Sequence, residues 1–176
     1  MKTISTLKTT ILFLALAAVS FSSCKKDSDK KVSKGKFATV TVKRYAFDGG
    51  AAAEFKSTAA VIAVAGPIFT FTAVKDGLKE SITIALYGKI GVGTYSLDQD
   101  NASGNGAVMF KDFNKSSDPT YAYSTGEQRG DGGEVKITKL TDTEIEGTFF
   151  IVAHNSAGKG AYAEQGSFSG AITTVK

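Results

Sequence analysis

The chain has 176 residues, 42% hydrophobic, 22% charged and 10% aromatic, with 19 Gly, 2 Pro and 1 Cys. These proportions exclude collagen-like, low-complexity and wholly disordered chains, and the length suits one domain whose core needs neither metal nor disulfide. A lone Cys forms no internal disulfide, and 1 His with no Trp leaves little material for a metal or nucleophile site.

Lys2 and Lys8 open the chain, Ile11 to Val19 is an unbroken apolar run, and Ser20-Phe21-Ser22-Ser23-Cys24 follows. A membrane span needs roughly 20 apolar residues, twice the length of this run. A basic start, a short apolar stretch and small residues before a cut site instead describe a secretory signal peptide over residues 1–23. The place of Cys24 resembles the lipobox of bacterial lipoproteins, with Phe21 where Leu is usual. That resemblance implies a diacylglycerol on the Cys24 thiol, cleavage before it and acylation of the new amino group. Two or more acyl chains hold a protein on a bilayer where one chain is marginal.

The formal charge of +4 and pI near 9.0 do not point to nucleic acid, because of where the charge sits. Residues 24–36 comprise Cys24 and a Lys-rich stretch holding 6 Lys, 2 Asp and one apolar side chain, Val32. Such a stretch cannot offset its ordering entropy by burial and is expected to be a flexible tether. Residues 37–176 then hold 13 basic and 15 acidic residues, evenly mixed, without the electrostatic footprint that a phosphate backbone requires. The run Lys25-Lys26-Asp27-Ser28-Asp29 resembles the charged export signal of surface lipoproteins in Bacteroidota.

From residue 37 the hydrophobic period is two. Val40 and Val42 alternate with Thr39, Thr41 and Lys43. Ala51 to Lys56 is long enough for one helical turn at most. Ile68 to Val74 alternates large and small before a turn at Lys75-Asp76-Gly77, and Ile82, Ile84 and Leu86 share a face. Residues 98–118 read as a long polar loop with a brief strand at Ala107 to Phe110. Val135 and Ile137 form one face, and Ile145, Gly147, Phe149 and Ile151 another, with a turn at Leu140-Thr141-Asp142-Thr143 between them. Breaks fall at Asp48-Gly49-Gly50, Gly91-Val92-Gly93, Asp98 to Gly106 and Gly126 to Gly133. The pattern predicts a single all-β domain over residues 37–176, an antiparallel β-sandwich or barrel of about eight to ten strands. Gly147 is expected to leave room for a neighbouring ring or backbone, or to mark a bulge.

Gly93-Thr94-Tyr95-Ser96-Leu97, Tyr121 to Thr125, Gly133 to Leu140, Ile145-Glu146-Gly147-Thr148-Phe149 and Gly166-Ser167-Phe168 together resemble an uncharacterised family of Bacteroidota lipoproteins. Phe150-Ile151 departs from the Ser-Phe usual there, and residues 37–60 carry little of the likeness. The resemblance implies a fold and a location and supplies no reaction.

Catalytic patterns fail one after another. His154 has no second His for a two-His metal site and is expected to be a solvated strand-end residue. Gly166-Ser167-Phe168-Ser169-Gly170 places Phe168 where a nucleophile elbow needs Ser. Gly158-Lys159 lacks the upstream Gly and the following Ser or Thr of a phosphate loop, and Gly91 to Ser96 has the wrong surroundings for a dinucleotide fingerprint. Asp98, Asp100 and Asn101 offer calcium-type oxygens, but Ser103 replaces the required Gly, so an Asx-rich loop is expected. Glu144 and Glu146 share the solvent face of a strand, which favours a charged surface over a glycosidase pair. Arg129-Gly130-Asp131 matches an integrin-type tripeptide on only three residues. Tyr121 and Tyr123 point to one face, where core or rim packing is expected over a sugar platform.

The expectation is a non-enzymatic structural or binding module, lipid-anchored through Cys24 at the outer membrane, with no catalytic residue, cofactor, metal or nucleic acid. The alternative is a glycan- or peptide-binding accessory of a nutrient-uptake system. Asp98–Asp118 and Gly126–Gly133 are the loops expected to meet a protein or glycan partner.

Overall fold

Ten strands run in chain order as β1 (Ala38–Phe47), β2 (Ala53–Ala65), β3 (Ile68–Val74), β4 (Ser81–Tyr87), β5 (Gly93–Ser96), β6 (Gly106–Phe110), β7 (Ala122–Ser124), β8 (Gly132–Leu140), β9 (Glu144–His154) and β10 (Gly160–Val175). The computed structural model describes residues 37–175 except residue 78; the expected leader, Cys24 and the tether, residues 1–36, lie outside the described residues. Of the two architectures that alternation allows, the chain adopts the barrel. Strands β1, β2, β3, β4, β6, β7, β9 and β10 close into an eight-strand ring, and β8 and β5 are appended beside β9.

Closure comes from β10. Its residues 161–170 pair antiparallel with β1, and its other edge pairs with β9. Beyond the start of β1 at Ala38, β10 runs on and pairs directly with β2, parallel, over Ile172 to Val175. β9 divides its free edge: β8 occupies Ile145 to Val152, and β7 reaches only His154, through Ser124. Residues 53–56, inside the stretch read as a possible helical turn, are extended and open β2. Gly132 and Gly133, read as the end of a loop, already belong to β8.

The interior follows the predicted alternation. On β9, Ile145, Gly147, Phe149, Ile151 and Ala153 are buried, while Glu144, Glu146, Thr148, Phe150 and Val152 are exposed. The barrel centre is a cluster of three rings, with Phe71 lying 5.4 Å from Phe149 and 5.3 Å from Phe168. Two glycines make room for it. Phe168 pairs with Gly147 across β9 and β10, and Phe149 pairs with Gly166. A Cβ at Gly147 would run into the Phe168 ring edge and the Lys136 carbonyl oxygen; one at Gly166 would run into the Phe149 ring. Gly147-Thr148-Phe149 and Gly166-Ser167-Phe168 are thus one reciprocal device, each strand laying its ring over the other's glycine.

One end of the barrel is sealed by polar contacts. Asp48, in the β1–β2 turn, has its N–H bonded to the Gly160 carbonyl at 2.8 Å. Its carboxylate accepts the Tyr123 hydroxyl at 2.5 Å and Lys111 Nζ at 2.7 Å. Burial works against the Asp48 charge, but these two hydrogen bonds outweigh it and hold the carboxyl below its ordinary range. Burial first, then the Asp48 carboxylate, pushes the Tyr123 hydroxyl well above its own. Among the described residues the buried core runs from Ala38 to Phe168, with Ile172 packed against it.

Candidate functional site

The loop predicted over residues 98–118 is split by β6 into two halves at opposite ends of that strand. The second half, residues 111–121, carries a single 3-10 turn, Phe113–Lys115, and is tied to the β9–β10 turn by Asn155 Nδ2 donating to the Thr120 carbonyl at 2.7 Å. The first half, residues 97–105, meets the β7–β8 loop, residues 125–131. Gln99 Nε2 donates to the Gly126 carbonyl at 3.2 Å, and the Gly133 N–H donates to Asp98 Oδ1 at 3.2 Å. Without a Cβ at Gly133 the β9 backbone at Phe150 can approach, which lets β8 start against this loop. The loop is internally braced: Asn101 Oδ1 accepts the Asn105 N–H at 2.8 Å, and buried Asn105 accepts the Tyr87 N–H at 2.9 Å. Asp98 and Asn101 therefore spend side-chain oxygens on backbone N–H groups, and Asp100 stands exposed. This is the Asx-rich loop expected from sequence. Among the described residues no three His, Cys, Asp or Glu side chains converge.

Beneath the paired loops lies a contact that sequence reading did not foresee. His154 is only half-buried, but its Nδ1 lies 2.5 Å from Oδ1 of Asp131, whose side chain is 1% exposed. The other Asp131 oxygen accepts the Gln128 N–H at 2.8 Å. His154 is thus no freely solvated strand-end residue. Its Nδ1 sits against a buried carboxylate, so the imidazole latches the β7–β8 loop onto the end of β9. Ser124, directly across from His154, has its hydroxyl oxygen taken by the Gly126 N–H at 3.2 Å. The same burial disposes of the integrin-type reading: Arg129 is exposed, but the Asp131 carboxylate faces inward and is fully engaged.

The remaining candidates fall where packing puts them. Tyr123 is buried among the core rings, 5.0 Å from Phe47, and half-buried Tyr121 packs under Lys115, so the two make no shared outward platform. Glu144 and Glu146 are exposed and flank Lys139 at 3.3 and 3.0 Å, a charged surface. Ser167 bonds Thr41 on the exterior, and Phe168 belongs to the core.

No curated protein and no solved structure matches the chain. The match to a recognised family starts at Ala46, near the end of β1, and stops at Ala171, within β10. The model of that family, DUF6252, a domain of unknown function, matches residues 46–171, and the chain belongs to it.

Proposed function

We propose that the chain is a lipid-anchored lipoprotein of the Bacteroidota cell envelope, held at the outer membrane through Cys24, and that its barrel acts as a non-enzymatic binding module. The observation that carries the binding role is the pairing of the two loops. Residues 97–105 join β5 to β6 and residues 125–131 join β7 to β8, yet hydrogen bonds fix the two loops to each other and to β8 and β9. A rigid scaffold presenting pre-ordered polar loops loses little entropy on capture of a partner. Exposed Asp100, Ser103, Glu127 and Arg129 provide mixed-sign contacts there. A sugar platform draws no support from Tyr121 and Tyr123, so a peptide or protein is the partner class proposed over a glycan.

The anchor rests on the leader, on the small residues before Cys24 and on the lack of any other thiol. Replacing residues 99–104 by two glycines removes the Gln99–Gly126 and Asn101–Asn105 hydrogen bonds and should lower the melting temperature by several degrees, a loss of about 1–2 kcal/mol, with the barrel still folded. The same change should abolish capture of a partner from envelope extracts. Undiminished capture would remove the loops from the binding role. His154→Asn, which keeps a donor toward Asp131, should leave capture intact.

A further inference from the structure

The end of the barrel opposite the Asp48 seal holds a cleft of about 470 Å³, framed by the β2–β3 turn, the β4–β5 connection and the β8–β9 turn. Five aliphatic side chains from different elements converge on it, Val64, Ile68, Ile90, Leu140 and Ile172, each left half-buried. Phe69, 2% exposed, forms its inner wall. Elsewhere the inward-facing aliphatics of β1, β4 and β9 are fully buried, so the barrel's unfinished apolar surface gathers at this mouth. Eight-strand barrels are just wide enough to be filled by side chains or to hold one small ligand, and barrel mouths are common ligand sites with volumes of about 300–1,000 Å³. At the rim stands Lys89, exposed and with no hydrogen bond or ion pair among the described residues. Asp142 occupies the β8–β9 turn of the same rim, also without a partner among the described residues.

We propose that this cleft binds one long-chain carboxylate, its alkyl tail against Ile68, Ile90, Leu140 and Ile172 and its head group at Lys89. The aliphatic wall favours a linear hydrocarbon over a sugar or a peptide, since Thr141, the lining hydroxyl, is taken up by Thr143 and Glu144 and the other polar side chains, Lys89 and Asp142, stand at the rim. The volume takes a single chain and not the two of a phospholipid. An anionic head is set by charge: it gains from Lys89 and is kept off the opposite turn by Asp142. The site is separate from the paired loops, and it does not depend on the anchor at Cys24.

The test is calorimetric titration of residues 37–176 with monomeric dodecanoate. One molecule per barrel is expected, with affinity falling about tenfold on shortening the chain by two methylenes. Lys89→Glu, an exposed change that leaves the fold alone, should weaken dodecanoate about fivefold or more and leave dodecanol unaffected. Ile68→Gln should abolish both, with its melting curve taken alongside; if that variant does not fold, Lys89→Glu and the chain-length series decide. Absence of saturable binding, insensitivity to chain length, or equal affinity for dodecanol and dodecanoate would overturn the proposal. So would binding to phosphatidylglycerol vesicles with none to dodecanoate.

Discussion

Gly147→Val is expected to lower the melting temperature of residues 37–176 by roughly 10 °C, a loss of about 3 kcal/mol. The cause is local and steric. Gly147 faces the interior of β9 with Phe168 directly opposite on β10 and the Lys136 carbonyl beside it on β8. A Cβ added there collides with a backbone atom as well as with a ring, and backbone cannot rotate away. Even Gly147→Ala should therefore cost, where a clash with a flexible side chain alone would be absorbed. Gly166→Ala should cost as well, because its Cβ meets the Phe149 ring, which is held in the core against Phe71 and Phe168 and cannot swing clear. Thermal unfolding of the three variants against the parent checks this. Equal melting of Gly147→Val would mean that β9 is out of register by one residue, with Glu146 and Thr148 facing the core.

Asp131→Ala is expected to cost about 2 kcal/mol and to free the β7–β8 loop. Two hydrogen bonds converge on that carboxylate, from Gln128 N–H and from His154, and both donors lose their acceptor together. His154→Ala should cost a similar amount for the opposite reason: it leaves the buried Asp131 carboxylate with one donor. The imidazole is partly open to solvent, so the penalty stays below that of a fully enclosed pair. His154→Asn places an amide N–H near the Nδ1 position and should recover most of the loss. Chemical denaturation gives the stabilities, and amide exchange of residues 126–131 reports the loop. Rapid exchange there is expected in the two alanine variants and parental protection in His154→Asn. If His154→Ala melts like the parent, the pair is no latch.

Much of the barrel was legible in the sequence because its strands alternate with large side chains. β3, β8 and β9 alternate apolar and polar side chains over most of their length and their faces come out as expected, while β4 alternates in sequence but is buried on both sides, Thr83 and Ala85 as well as Ile82 and Ile84. Two of the longest strands were obscured. β2 fills its core-facing row partly with Ser57 and Ala60, and Gly160, Gly166 and Gly170 leave β10 without a clear alternation of large and small side chains. Those small residues exist for close approach: Gly166 lies under the Phe149 ring, and a Cβ at Gly170 would strike Ala38 at the start of β1. Sandwich and barrel share one alternation, so the choice rests on β10 bridging β9, β1 and β2, which is a pairing fact with no local signature. The site was less legible for the same reason. His154 and Asp131 are 23 residues apart, Asp131 sits in a Gly-rich loop, and only the β7–β9 bridge brings the loop over the imidazole. The cleft draws on the β2–β3, β4–β5 and β8–β9 connections and on β10, so no stretch of sequence announces it.

The proposed lipid on Cys24 decides where the barrel is displayed. The most direct test is the intact mass and N-terminal peptide of the mature protein purified from its own membranes. The expected chain begins at Cys24, lacks residues 1–23, and carries a diacylglyceryl thioether together with an acylated amino group. A mature chain that starts elsewhere, or a Cys24 that reacts as a free thiol, would contradict the anchor and with it the proposed place of this barrel in the envelope.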